Sequence, residues 1–148
     1  MCDMDKKPQV AVIMGSQSDW DIMKNSVETL EKMGMKAEVR VISAHRAPEC
    51  LFDYVSQLEE RGFEAVIAGA GMAAALPGVI AASTTLPVIG VPIKGSVLDG
   101  IDAMFSIIQM PPGIPVATVG VNGAQNAAIL DVEIMALADE ELANNFAD

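Results

Sequence analysis

Residues 65–93 carry no charged side chain, and no other feature of the chain constrains its fold as tightly. On length alone such a run can span a membrane. Gly69, Gly71, Gly78 and Gly90, together with Pro77, Pro87 and Pro92, cut it into pieces of strand, loop, helix and strand length. Short apolar pieces punctuated in this way fit a βαβ segment buried on both faces, at the centre of a parallel sheet.

The flanking sequence repeats the same unit. Residues 9–14, apolar throughout after Gln9, form a run of the kind a central parallel strand needs. After Gly15-Ser16-Gln17, Ser18 and Asp21 have the spacing of a capping box. Met23, Val27, Leu30 and Met33 then recur at helical spacing, and Gly34 ends the helix. A second strand spans 36–42, with Val39 and Val41 on one face. Pro48 opens a helix whose buried stripe reads Leu51, Phe52, Val55 and Leu58, closed by Arg61-Gly62. Residues 65–68 form a third strand, followed by a loop of almost no side chains, Gly69-Ala70-Gly71-Met72-Ala73-Ala74-Ala75. A short helix starts at Leu76-Pro77-Gly78, residues 87–91 form a fourth strand, and 92–96 a loop. Leu98, Ile101, Met104, Phe105 and Ile108 mark a fourth helix. Residues 115–119 are a fifth strand, and 123–148 hold one last helix in which Ile129, Leu130, Ile134 and Leu137 are apolar.

Five strands alternating with five helices predict a single α/β domain over residues 1–148, its core at about 8–142 with less ordered ends. The expected architecture is three-layered αβα: a doubly wound, parallel, five-stranded sheet in the flavodoxin-like order 2-1-3-4-5.

Composition narrows the function. Apolar residues make up 51% of the chain, more than a small monomer can cover, which predicts a homo-oligomer. The formal net charge of −11 argues against nucleic acid as a partner, and an anionic substrate needs a local cluster of donors, Arg46 among them. Cys2 and Cys50 form neither a disulfide framework nor a zinc spacing, which reads as a reducing compartment without a cysteine metal site. Residues 1–7 are polar and lack the apolar core of a signal peptide, so the expected location is cytoplasmic, with no membrane partner.

Three loops carry the chemistry. Ser43-Ala44-His45-Arg46-Ala47-Pro48 follows the second strand and holds the one histidine of the chain. It offers a hydroxyl, an imidazole and a fixed cation at a strand's carboxyl edge, where ligands of open parallel sheets bind; taken alone, His45 reads first as a capping or surface residue and Arg46 as solvated. Ser16, Ser18 and Asp19 precede a helix, where hydroxyls and free N–H groups at a positive helix end suit a phosphate, although a plain capped turn has the same residues. The Gly/Ala loop after the third strand admits a ligand close to the backbone, or serves tight helix–strand packing. In the order 2-1-3-4-5 the first three strands are neighbours. Residues 16–19, 43–46 and 70–72 then line one pocket, and His45 becomes a site residue. A phosphate-accepting receiver domain is excluded by Ala68-Gly69 where an aspartate belongs. A flavin site lacks its aromatics, and a metal enzyme its histidines. What remains is a phosphorylated small molecule handled by one acid/base histidine without a cofactor.

Met14-Gly15-Ser16-Gln17-Ser18-Asp19-Trp20, Ser43-Ala44-His45-Arg46-Ala47-Pro48, Ala68-Gly69-Ala70-Gly71, Pro87-Val88-Ile89-Gly90-Val91-Pro92 and Ser106-Ile107-Ile108-Gln109-Met110-Pro111 closely resemble the 5-(carboxyamino)imidazole ribonucleotide mutase family (PurE, bacterial mutase type) of purine biosynthesis. The motifs are collinear over most of the chain. The resemblance implies transfer of a carboxylate from the exocyclic nitrogen to C4 of an aminoimidazole ribonucleotide, with no metal, ATP or biotin. It implies His45 as general acid/base, Ser16, Ser43 and Arg46 on the phosphate, Asp19 on the ribose hydroxyls and Ser18 on the nucleotide. Ala70 and Gly71 would line the base and carbon dioxide pocket, and the assembly would be an octamer with sites near subunit contacts.

The chain departs from the family pattern at Met72, where a second glycine is usual, and at Ala75, where the bacterial loop has a histidine. The family's tail also usually continues further, which predicts weaker closure of the pocket here. These departures keep two alternatives open: a carboxylase using free carbon dioxide, or a non-catalytic nucleotide-binding relative.

Overall fold

Strand β1 (Val10–Met14) is apolar and fully buried at every position. In the computed structural model, which describes residues 7–147, it sits inside a five-stranded parallel sheet. The other strands are β2 (Ala37–Val41), β3 (Ala65–Gly71), β4 (Val88–Ile93) and β5 (Ala117–Thr118), in the order β2-β1-β3-β4-β5 that the alternation of elements predicts. The expectations for Cys2 and for the extreme ends of the chain fall outside the described residues.

Side-chain alternation along the strands divides the core between the two faces. Val10, Val12, Ile67 and Val91 point to one side, against Met23 and Leu30 of α1 (Trp20–Lys32) and Ala128 and Val132 of α5 (Ala124–Ala136). Ala11, Ile13, Val66 and Val88 point to the other. There they meet Leu51 and Val55 of α2 (Pro48–Ser56), Ile80 of α3 (Leu76–Ala81) and Ile107 of α4 (Ile101–Ile108). Glycine makes these contacts close: a Cβ at Gly69 would collide with Met23, and one at Gly90 with Ile107. Helix–strand packing therefore accounts for Gly69.

The structure corrects several expectations. β3 runs on to Gly71, because Ala70 and Gly71 pair with Pro92 and Ile93, and β4 likewise reaches Ile93. Phe52 is 59% exposed; Leu51, Val55 and Leu58 form the inward line, and Phe52 is rotated off it. In α4 the buried residues are Ala103 and Ile107, whereas Leu98, Ile101, Phe105 and Ile108 are about half exposed. That helix is apolar on both sides, so periodicity alone does not reveal which side meets the sheet. β5 is only two residues long. The final helix is two, so among the described residues the α-helices number six rather than five. After α5, Leu137 is exposed, and Asp139 Oδ1 accepts the Leu142 backbone N–H at 3.1 Å at the head of α6 (Glu140–Ala147). An aspartate followed by Glu140-Glu141 is the start signal for that helix.

Register brings the loops to one edge. Met14 is level with Val41 on one side and Gly69 on the other, and Ile42 donates to the Met14 carbonyl at 2.9 Å. The exposed edge strand β2 is fastened by Glu38, which accepts from Tyr54 at 2.6 Å and from both terminal nitrogens of Arg61 at 2.9 and 3.0 Å. Hydrogen bonding from Arg61, outweighing partial burial, holds the Glu38 carboxyl below the usual range. This network ties β2 to the helix on the far side of residues 43–47.

Candidate active site

Four loops leave the carboxyl ends of β1, β2, β3 and β4 and enclose a cleft of about 680 Å³. This is where open parallel sheets take ligands. Every residue that the sequence singles out lines it: Ser16, Ser18, Asp19, Ser43, His45, Arg46, Ala70 and Gly71.

After β1, Ser16 is extended (φ −147°, ψ 147°) and caps a 3₁₀ turn, Gln17–Asp19, its Oγ accepting the Ser18 N–H at 3.3 Å. The cap is thus Ser16 rather than the Ser18–Asp21 box, because the chain begins to wind three residues before α1. Ser16 and Ser18 hydroxyls are 2.9 Å apart at this helix entry. Asp19 is buried, and desolvation raises its pKa above the ordinary carboxylate range, opposed by a hydrogen bond from the Ser16 backbone.

After β2, Ser43 Oγ accepts the Arg46 N–H at 3.1 Å, and the Ser43 carbonyl accepts the Ala47 N–H at 2.9 Å. These bonds close a turn that leaves His45 and Arg46 exposed on the cleft wall. The Ser43 hydroxyl proton remains available to a ligand.

The β3 loop supplies the floor. Ala70 and Ala74 are buried, and Ala75 and Leu76 also line the cleft. Met72 occupies the left-handed region at φ 52° and is 65% exposed at the mouth. A side chain there is strained, which explains why a glycine suits the position.

Sequence reasoning missed the fourth wall, Lys94, Gly95 and Ser96, which follow β4. Two signals were present. β4 neighbours β3, so its loop must reach the same edge, and Lys94 is the one basic residue between Gly62 and Asp148. Gly15, Gln17, Val41 and Ala44 complete the lining near the predicted positions.

Residues 9–148 match the protein family described as AIR carboxylase. The chain is 53% identical over 137 residues to the N5-carboxyaminoimidazole ribonucleotide mutase of Saccharolobus solfataricus, covering 93% of this chain and 87% of that one. It is 56% identical over 135 residues to the protein of the same name from Pyrococcus abyssi, covering 91% and 78%. The crystal structure of Treponema denticola PurE superposes with a TM-score of 0.87 at 29% identity, covering 95% of this chain and 88% of that one. With the family matched along nearly its whole length and the motif loops gathered in one cleft, the chain belongs to the AIR carboxylase family.

Proposed function

We propose that this protein is an N5-carboxyaminoimidazole ribonucleotide mutase. It moves the carboxylate from the exocyclic nitrogen to C4 of the imidazole, giving 5-amino-1-(5-phospho-D-ribosyl)imidazole-4-carboxylate. The observation that carries the reading is the meeting of the 43–46 turn and the 16–19 cap above the Gly/Ala floor. Relatives bearing the mutase name at 53% and 56% identity support it.

In this reading Arg46, Ser16 and Ser43 hold the phosphate, with Ser18 beside them. The N–H groups of the 3₁₀ turn add donors at the helix entry. Buried Asp19 accepts from the ribose hydroxyls. The carbamate C–N bond breaks, carbon dioxide leaves, and the nitrogen takes a proton from His45. Carbon C4 attacks the trapped carbon dioxide, and His45 removes the C4 proton, returning to its starting state. Ala70, Gly71 and Ala74 keep water from the carbon dioxide, since close-packed small residues leave no room for it.

The assembly in this reading is a homo-octamer, as the resemblance implies, working in the cytoplasm. The outward face of α4, with Leu98, Ile101, Phe105 and Ile108, is the surface a second copy covers. Among the described residues no helix is long and apolar enough to cross a membrane.

Ala75 favours a second reading, a carboxylase, because the bacterial mutase pattern has histidine there. One assay separates them. The purified protein is given 5-carboxyaminoimidazole ribonucleotide alone, then aminoimidazole ribonucleotide with bicarbonate, and product is followed by ultraviolet absorbance. A mutase forms product faster from the first. Faster product from the second supports the carboxylase, and binding without product supports a non-catalytic relative.

A further inference from the structure

From Gly62 to Asp148 the chain carries a single basic residue, Lys94, in a molecule of net charge −11, and the fold places it in the cleft. Its backbone is pinned: the Lys94 N–H donates to Asn122 Oδ1 at 2.9 Å, and the Asn122 N–H donates to the Pro92 carbonyl at 2.8 Å. Its side chain is loosely held. Among the described residues the nearest carboxylate, Asp99 Oδ1, is 3.9 Å from Nζ, with the two side chains 60% and 77% exposed. An exposed pair at that distance contributes little and yields readily to a ligand anion.

The second cation of the cleft, Arg46, follows β2, whereas Lys94 follows β4. The order β2-β1-β3-β4 sets the two strand ends three spacings apart, about 14 Å. Three hydroxyls, of Ser16, Ser18 and Ser43, lie towards the Arg46 end, and one, of Ser96, follows β4 beside Lys94. The Lys94 end has the bare floor of Ala70 and Gly71, paired with Pro92 and Ile93 of β4. A ligand with one anionic group uses one end only. The substrate of the reaction proposed above has two, a phosphate on the ribose and a carboxyl on the far side of the imidazole.

We infer that Lys94 binds the migrating carboxyl group, and this rests on the mutase reading. The phosphate takes the end with three hydroxyls and a guanidinium, leaving the carboxyl at the floor beside Lys94. The group moves between two nearby atoms of the ligand. An ammonium on a flexible four-carbon stem follows that movement, where a planar guanidinium fork fixes one geometry.

Titration calorimetry with two nucleotides tests this: aminoimidazole ribonucleotide and its 4-carboxylate. Lys94→Gln is expected to weaken the carboxylated nucleotide about tenfold and to leave the other within about twofold, while Lys94→Arg keeps part of the difference. Equal weakening of both places Lys94 on the phosphate and overturns the assignment, as does unchanged binding of both. A wild-type protein that binds neither nucleotide overturns the mutase reading itself and the assignment with it. Wild-type binding with no differential loss in Lys94→Gln overturns the assignment alone.

Discussion

Ser43 Oγ accepts the backbone N–H of Arg46 at 3.1 Å, and the turn this bond closes presents His45 between the two residues that bracket it. One hydroxyl thus orients His45, and in the proposed function the same hydroxyl meets the phosphate.

Ser43→Ala removes that acceptor together with the phosphate contact of the proposed function. The loss to stability is expected at about 1 kcal/mol, the usual net worth of one hydrogen bond. KM for the nucleotide rises about tenfold, since a phosphate donor is gone. Thermal unfolding and steady-state kinetics read the two effects. Unchanged KM removes Ser43 from the phosphate.

Met72 holds φ at 52° with a largely exposed side chain. Met72→Gly is expected to be more stable than Met72→Ala by about 1 kcal/mol, since both discard the side chain and only glycine relieves the left-handed strain. Denaturant titration of the two variants measures the difference. Equal midpoints mean that the loop relaxes without cost.

Asp131 lies fully buried in α5, and neither carboxylate oxygen has a hydrogen-bond partner among the described residues. Burial, and then the negative charge of Glu64, push its pKa up from the usual 3.8 to about 7. The folded protein therefore binds one more proton than the unfolded chain between those values. Stability is full below the unfolded value and is lost as pH rises towards about 7. At 1.36 kcal/mol per pH unit, the gap corresponds to roughly 4 kcal/mol. Asp131→Ala removes the cost of charging the buried carboxyl. Its stability advantage over wild type is expected to grow from pH 4 to pH 8, read by urea unfolding across that range. A constant difference contradicts a buried titration.

Phe105 is half exposed on the outward face of α4, while Ile107 of the same helix is buried. If α4 carries the subunit contact of the proposed octamer, Phe105→Asp leaves the fold intact and raises the subunit dissociation constant at least about thirtyfold, as loss of an interface anchor does. Sedimentation velocity and circular dichroism read assembly and fold separately. An unchanged assembly excludes this face from the contact.

The sheet order was legible because each apolar run and each helix start has its own local signal, and a parallel sheet needs little else. The three polar or glycine-rich loops were legible for the same reason, since adjacency of β1, β2 and β3 follows from the order. α4 was not legible in its orientation: a helix with Ile101, Phe105 and Ile108 on one side and Ala103 and Ile107 on the other does not declare its inner face, which the approach of Ile107 to Gly90 decides. Gly69 looked like loop and proved to be strand packed on Met23, because small residues serve both ends equally. Lys94 escaped notice because a lone lysine carries no motif; only the closing of β4 beside β3 makes it part of the cleft.

The account rests on His45 carrying a proton to nitrogen and another away from C4. The most direct measurement is turnover of 5-carboxyaminoimidazole ribonucleotide by His45→Asn, with aminoimidazole ribonucleotide affinity and thermal midpoint measured on the same sample. The predicted result is a kcat lowered at least about a hundredfold, as for loss of a general acid/base, with binding and melting close to wild type. Turnover near the wild-type rate would contradict the account.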